Sequence, residues 1–230
     1  MKKIYLLLYY GFIPPLFFFD FFQEPGILKK IGGLEALSNT ILIFYTIQYK
    51  KSKFTLIDLY LIEALLFTVT GGLLLLYFKD YQLLMFINTV GFYLTQFMYI
   101  NIFRAEGSFL PAFSSVLKEW KIIILTILFF LGLAFFLITY TPNSLLLISF
   151  VYSTQMMVLC WMAYFRPIPP KLFYMSFAGV FLLVMSNLWL AFNLLYRHFT
   201  YPVGIYFLLY ATSQFLLVES ILYNRSLSKN

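Results

Sequence analysis

Charge is scarce in this chain. Only 11% of its 230 residues are charged, with nine acidic side chains against sixteen basic ones. A soluble domain of this length needs a far more polar surface, which excludes that class. Cysteine occurs once, at Cys160 inside an apolar stretch. A single thiol has no intrachain partner, so neither a disulfide framework nor a cysteine-based metal site is available. Histidine also occurs once, at His198 directly after Arg197 in a short connection. One histidine cannot assemble a zinc site of the usual kind, and no metal or cofactor is expected. A soluble basic domain is missing too, so a nucleic-acid partner is not indicated despite the net charge of +7.

What remains is apolar. The chain is 62% hydrophobic with a mean hydropathy of +0.87. Several stretches reach the ~20 residues needed to cross a hydrocarbon core of ~30 Å. The expected fold is therefore all-α, a polytopic transmembrane helix bundle forming a single domain over residues 1–230. Charged and turn residues divide it into about eight spans, at 4–22, 33–49, 56–78, 83–103, 122–140, 145–165, 172–196 and 203–223. The first resembles a signal peptide, opening with Lys2-Lys3 and an apolar core. It runs on through Phe17-Phe18-Phe19-Asp20-Phe21-Phe22 without a small-residue cleavage site, so it reads as retained. The second is the shortest in apolar character, carrying Asn39 and Gln48. The longest connection, Arg104 to Lys121, leaves room for an interfacial turn.

Eight spans put both termini on one side. Lys2, Lys3, Lys50, Lys51, Lys53, Arg104, Lys118, Lys121, Arg166, Lys171, Arg225 and Lys229 share that side, against Lys29, Lys30, Lys79 and Arg197 on the other. This positive-inside asymmetry makes both termini cytoplasmic, in a multi-pass protein of the plasma (inner) membrane whose basic side meets anionic lipid.

The polar residues within the spans then acquire a depth. Gly71-Gly72, Asn88 and Ser186-Asn187 come out nearly level in the outer half, with Gln155 and Gln214 near the midplane. Gln96 and Glu63 lie in the inner half, where they meet if the third and fourth spans form an antiparallel hairpin. A carboxyl some turns into a span is protonated, paired or functional, which singles out Glu63. Glu219 is close enough to the cytoplasmic end to snorkel out. Helical spacing puts Ser176, Gly179, Ser186 and Asn193 on one stripe, Tyr206, Tyr210, Ser213 and Gln214 on a second, and Asn88, Phe92, Gln96 and Tyr99 on a third. Three such faces converge on one pocket, or serve only to bind neighbouring helices together. A pair such as Gly71-Gly72 is more often a packing notch than a ligand contact.

The segments Gly179-Val-Phe-Leu-Leu-Val-Met-Ser186-Asn187-Leu-Trp-Leu-Ala and Tyr210-Ala-Thr-Ser-Gln214-Phe-Leu-Leu-Val resemble the last two spans of the YhhN family. Leu65-Leu-Phe-Thr-Val-Thr-Gly71-Gly72-Leu-Leu-Leu is similar to its Leu-x-Gly-Asp-x-Leu-Leu segment, and Gly91-Phe92-Tyr93-Leu94-Thr95-Gln96-Phe97-Met98-Tyr99 to its Phe-Leu-x-His-x-x-Tyr segment. The resemblance covers the third to eighth spans. It implies a lysoplasmalogenase-like hydrolase that cuts the vinyl-ether bond of a lysoplasmalogen, releasing a fatty aldehyde and a glycerophospho-headgroup. That chemistry needs a proton donor, negative charge to stabilise an oxocarbenium-like cation, and a positioned water.

The chain departs from the family pattern where acids are expected. The Gly-Asp position reads Gly71-Gly72, the Ser-Asp position reads Ser186-Asn187, and the histidine position is Gln96. Glu63 is then the replacement carboxylate, with Asn187 beside it as the second catalytic candidate. Gly72, Gln96, Tyr99, Ser186, Tyr210 and Gln214 are the candidate substrate-binding residues. The expected partners are membrane lipids, a lysophospholipid or lysoplasmalogen among them. A catalytically silent homologue that binds single-chain lipid or stabilises a membrane assembly is the alternative. A small transporter is weaker, since neither an internal repeat nor a pair of matched broken helices is present, although Pro14-Pro15 would kink the first span.

Overall fold

Hydrocarbon offers a backbone no hydrogen-bond partners, so long apolar segments satisfy their own N–H and C=O groups as helices. The computed structural model describes residues 2–11, 27–49, 54–77, 81–108, 119–196 and 202–227. These form eight helices in chain order: α1 (Lys2–Tyr10), α2 (Ile27–Tyr49), α3 (Leu56–Tyr77), α4 (Tyr81–Ala105), α5 (Trp120–Tyr140), α6 (Asn143–Tyr164), α7 (Pro170–Leu195) and α8 (Pro202–Leu227). No strand occurs among the described residues. The remainder of the expected first span, Pro14-Pro15, Lys79, Arg197 and His198 lie outside them.

Four helices are long and apolar enough to cross a membrane, over Leu56–Leu74, Trp120–Tyr140, Pro170–Asn193 and Gly204–Leu227. The second helix is not among them, although its 23 residues are long enough. It carries Glu35, Ser38, Asn39 and Thr46, all buried, which lowers its apolar character. It also starts before the expected residue 33. Lys29-Lys30, read as a connection because they are charged, belong to its first turns.

Helix boundaries follow local chemistry. Thr55 precedes α3, and Asp58 in the first turn accepts from both the Thr55 backbone N–H and its hydroxyl, each at 2.7 Å. This satisfies a donor that the helix start leaves orphaned. At the end of α4, Gly107 takes φ +90°, and the N–H groups of Gly107 and Ser108 return to the carbonyls of Arg104 and Phe103. That is the Schellman closure, which needs a residue free to adopt positive φ. Pro170 stands in the first turn of α7, where its missing N–H costs nothing.

Six helices form a closed ring, each packed on the next in the order α2, α3, α4, α6, α7, α8 and back to α2. Helix α1 lies outside on α2, with Tyr9 donating to the Ala211 carbonyl of α8 at 2.9 Å. Helix α5 lies outside on α6, where Phe130, Leu133 and Leu137 pack with Met156 of α6 and Val184 of α7. Two stretches of the ring are drawn tight by small residues. Gly71 meets Gly91 of α4, while on its other side α3 presses Gly72 against Gly32 and Ala36 of α2. Gly179 sits against Leu217 and the Ser213 carbonyl of α8. Without a hydrophobic force between helices in lipid, such close backbone approach supplies the attraction.

Gly72 therefore serves as a packing notch. A Cβ there would lie 2.4 Å from the Gly32 carbonyl oxygen, whereas one at Gly132 meets nothing within 4 Å. Gly72→Ala should destabilise the protein by about 1–3 kcal/mol because backbone has to move, while Gly132→Ala, with open space inside a helix, should stabilise it by up to about 1 kcal/mol. Thermal unfolding in micelles, followed by tryptophan fluorescence, compares the two. Equal midpoints would contradict the glycine contact.

Candidate functional site

Two polar layers occupy the ring interior. The first is built around Glu35 of α2, which is 1% exposed. Its carboxyl accepts a hydrogen bond from the Tyr206 hydroxyl of α8. One turn further along both helices, the Asn39 amide donates to the Tyr210 hydroxyl at 3.0 Å and to its own Glu35 carbonyl at 2.7 Å. Glu35 and Asn39 share a face because they are four residues apart, as do Tyr206 and Tyr210. The two helices run parallel, so the pairs align in register. The Tyr206 and Tyr210 rings stack with centroids 5.8 Å apart, and Phe92 of α4 meets Tyr210 edge-on at the same distance.

Helix α4 completes the layer. Tyr99 donates to the Gln214 side-chain oxygen at 2.5 Å. Gln96 is 1% exposed, and its amide lies beside the Tyr152 hydroxyl of α6, short of hydrogen-bond geometry. Thr68 of α3 faces Tyr210 and shares a 3.0 Å bond with Thr95. Several polar atoms in this layer have no protein partner: Asn39 Oδ1, both side-chain heteroatoms of Gln96, Gln214 Nε2 and the Tyr152 hydroxyl. Buried polar atoms are nearly always paired, so five together mark a place built for something other than stability alone.

The second layer lies at the end of the bundle where α4 and α8 finish. Arg166, in the connection between α6 and α7, is 3% exposed and pairs with Glu106 at 2.5 Å. It also donates to Ser176 at 2.9 Å and Ser220 at 3.3 Å, and lies 4.7 Å over the Phe103 ring. Burial lowers the Arg166 pKa from its usual value, and the Glu106 carboxylate opposes that shift. Nearby, Arg225 pairs with Asp58 at 2.7 Å and Asn224 donates to Glu106 at 3.0 Å. Between the layers, Leu61, Leu65, Ile102, Leu217 and Ile221 are fully buried and apolar.

Of the residues singled out in the sequence, Gln96, Tyr99, Tyr210 and Gln214 come together in the first layer. Glu63 does not. Helices α3 and α4 do form the antiparallel hairpin, but Glu63 projects from its outer face and is exposed, while Gln96 points inward. Ser186 and Asn187 each donate to the Leu183 carbonyl of their own helix, at 2.8 and 2.7 Å. They are satisfied locally, as short polar side chains in helices often are. The small stripe on α7 is a contact surface for α8 rather than a cavity wall. Glu219 is buried and accepts from Tyr45 of α2, so it does not snorkel. Asn88 lies on α4, with its side chain outside the described residues. Glu35 was not legible as a candidate, since it falls in the least apolar span. Its spacing of four from Asn39 was the available signal.

Four variants test this arrangement. Tyr206→Phe removes the hydroxyl partner of a buried carboxyl and should cost about 1–3 kcal/mol, whereas Glu63→Gln on the exposed face should change stability by less than about 0.5 kcal/mol. Arg166→Met strands Glu106 and should cost about 3–5 kcal/mol, with much of it recovered in Arg166→Met/Glu106→Gln. Thermal melts of the purified variants measure all four, and a double variant no better than the single one would deny the pair its role.

Neither a curated protein nor a solved structure matches the chain. The YhhN family matches it over residues 34–221, a range that opens one residue before Glu35 and spans the whole six-helix ring from there to the end of the α8 core. On that match, the chain belongs to the YhhN family.

Proposed function

We propose that the protein is a multi-pass lysoplasmalogenase-like hydrolase of the plasma (inner) membrane, with eight spans, cytoplasmic termini and Glu35 as its acid. The observation that carries this reading is a buried carboxyl at the centre of a polar layer whose amides and hydroxyls have spare hydrogen-bonding capacity. The family's own acidic positions read Gly72 and Asn187 here, and Glu35 is the buried carboxyl that lies among the unpartnered amides and hydroxyls of the first layer.

The chemistry needs one carboxyl used twice. Glu35, entering as the acid, gives its proton to the vinyl carbon remote from the ether oxygen. The ether carbon becomes an oxocarbenium ion, stabilised by the carboxylate left behind. A water held by the Asn39 or Gln96 amide attacks that carbon, and Glu35 takes the water's proton back. The hemiacetal then breaks its bond to the glycerol oxygen as its hydroxyl proton moves to that oxygen. Fatty aldehyde and a glycerophospho product leave, one water is consumed, and Glu35 is again protonated. Tyr206 holds the carboxyl in place throughout.

A second reading, a lipid-binding homologue without turnover, draws on Gly72, where packing leaves no room for a carboxylate. Release of fatty aldehyde from lysoplasmalogen by the purified protein decides between them. Wild type should turn over, Glu35→Gln should lose about 100-fold or more, and Glu63→Gln should keep its rate. Wild type inactive from acid to alkaline pH leaves the lipid-binding reading, and an active Glu35→Gln removes Glu35 from the chemistry.

A further inference from the structure

We infer that the ring interior recognises an uncharged, hydroxyl-bearing group, the glycerol of a single-chain ether lipid, and that phosphate contributes nothing to recognition there. This rests on the reading that the interior takes such a lipid, with or without turnover.

The unpartnered atoms of the first layer decide the chemistry of the guest. Gln96 offers a donor and an acceptor, both unsatisfied, from a side chain 1% exposed. Asn39 adds an acceptor, Gln214 a donor, and the Tyr152 hydroxyl is either. A phosphate oxygen only accepts, so it would leave the Asn39 and Gln96 carbonyl oxygens unmet. An ammonium only donates and would fail the amide nitrogens. A hydroxyl does both, and a glycerol presents hydroxyl and ether oxygens on adjacent carbons. Leaving a buried polar group unmet costs more than a made bond returns, so the mixed set selects against ions of either sign.

Charge points the same way. Glu35 lies in this layer, and a phosphate entering it would meet a carboxyl. The described arginines that could offset an anion, Arg166 and Arg225, are at the other end, engaged with Glu106 and Asp58 behind the apolar layer. The headgroup of a bound lysolipid accordingly lies outside the polar layer, and the ether and free hydroxyl of the glycerol lie within it.

The test uses the full chain in phosphatidylcholine nanodiscs and three saturated probes that no vinyl-ether chemistry can cleave: 1-O-hexadecylglycerol, its 3-phosphate, and hexadecyl phosphate. The first two should raise the unfolding midpoint with the same concentration dependence, and hexadecyl phosphate should not. Gln96→Leu should weaken alkylglycerol binding about tenfold, while Glu63→Gln, on the exposed face of α3, should bind it as wild type does. A phosphate-bearing ether that binds more than tenfold better than alkylglycerol overturns the inference. So does hexadecyl phosphate acting as well as alkylglycerol, or alkylglycerol not binding at all. If Gln96→Leu fails to fold, the wild-type comparison of the three probes decides alone. Aldehyde release is a separate measurement, so loss of the hydrolytic reading would leave this one standing or falling on binding.

Discussion

The hydrogen bond from Tyr206 to Glu35 joins the last helix of the ring to its first, and the polar interior depends on that closure. A carboxyl facing hydrocarbon is costly, so Glu35 is tolerable only where other helices surround it with hydroxyls and amides. Helices α2 and α8 run parallel and bring two such pairs into register, Glu35 with Tyr206 and Asn39 with Tyr210. Helix α4 then presents Gln96 and Tyr99 to the same interior. Packing α2 with another face toward α8 would turn Glu35 outward and leave Tyr206 and Tyr210 of α8 without these partners.

The ring is held by contrasting contacts. Glycines let α2, α3 and α4 approach backbone to backbone, and Gly179 does the same for α7 and α8. These interfaces are close. The contacts that complete the ring, between α8 and α2 and around α6, use larger side chains. Two of those seams, α8–α2 and α6–α7, have an outer helix on them. Tyr9 of α1 reaches across α2 to the α8 backbone, and the phenylalanines of α5 cover the groove between α6 and α7. At the far end, Arg166 gathers α4, α7 and α8 through one guanidinium, with its charge balanced by Glu106. The polar interior is thus bounded by tight walls, an apolar floor and an ion-paired base.

The two levels of the sequence differed in what they disclosed. Apolar runs and turn residues placed α3 through α8 to within a few residues, because length and hydropathy are local properties. The faces carrying Gln96 and Tyr99, and Tyr210 and Gln214, were also readable, since 3.6-residue periodicity is local too. Glu63 and Glu35 were both single carboxyls inside apolar segments. Nothing in their immediate neighbours says which faces inward. Ser186-Asn187 stood out because the flanking residues are so apolar, yet the pair is satisfied by Leu183 in its own helix.

Composition by itself determined that the chain is built of helices, several of them apolar enough to cross a membrane, and the family follows from its motifs. Only the tertiary structure decided that Glu35 is buried within the ring and Glu63 exposed, and that Gly72 packs against Gly32 of α2. Hydropathy and periodicity are summed along the chain, so they survive without knowledge of neighbours. The side of a helix that meets other helices is chosen by close packing and hydrogen-bond matching between segments more than a hundred residues apart, as Glu35 and Tyr206 are.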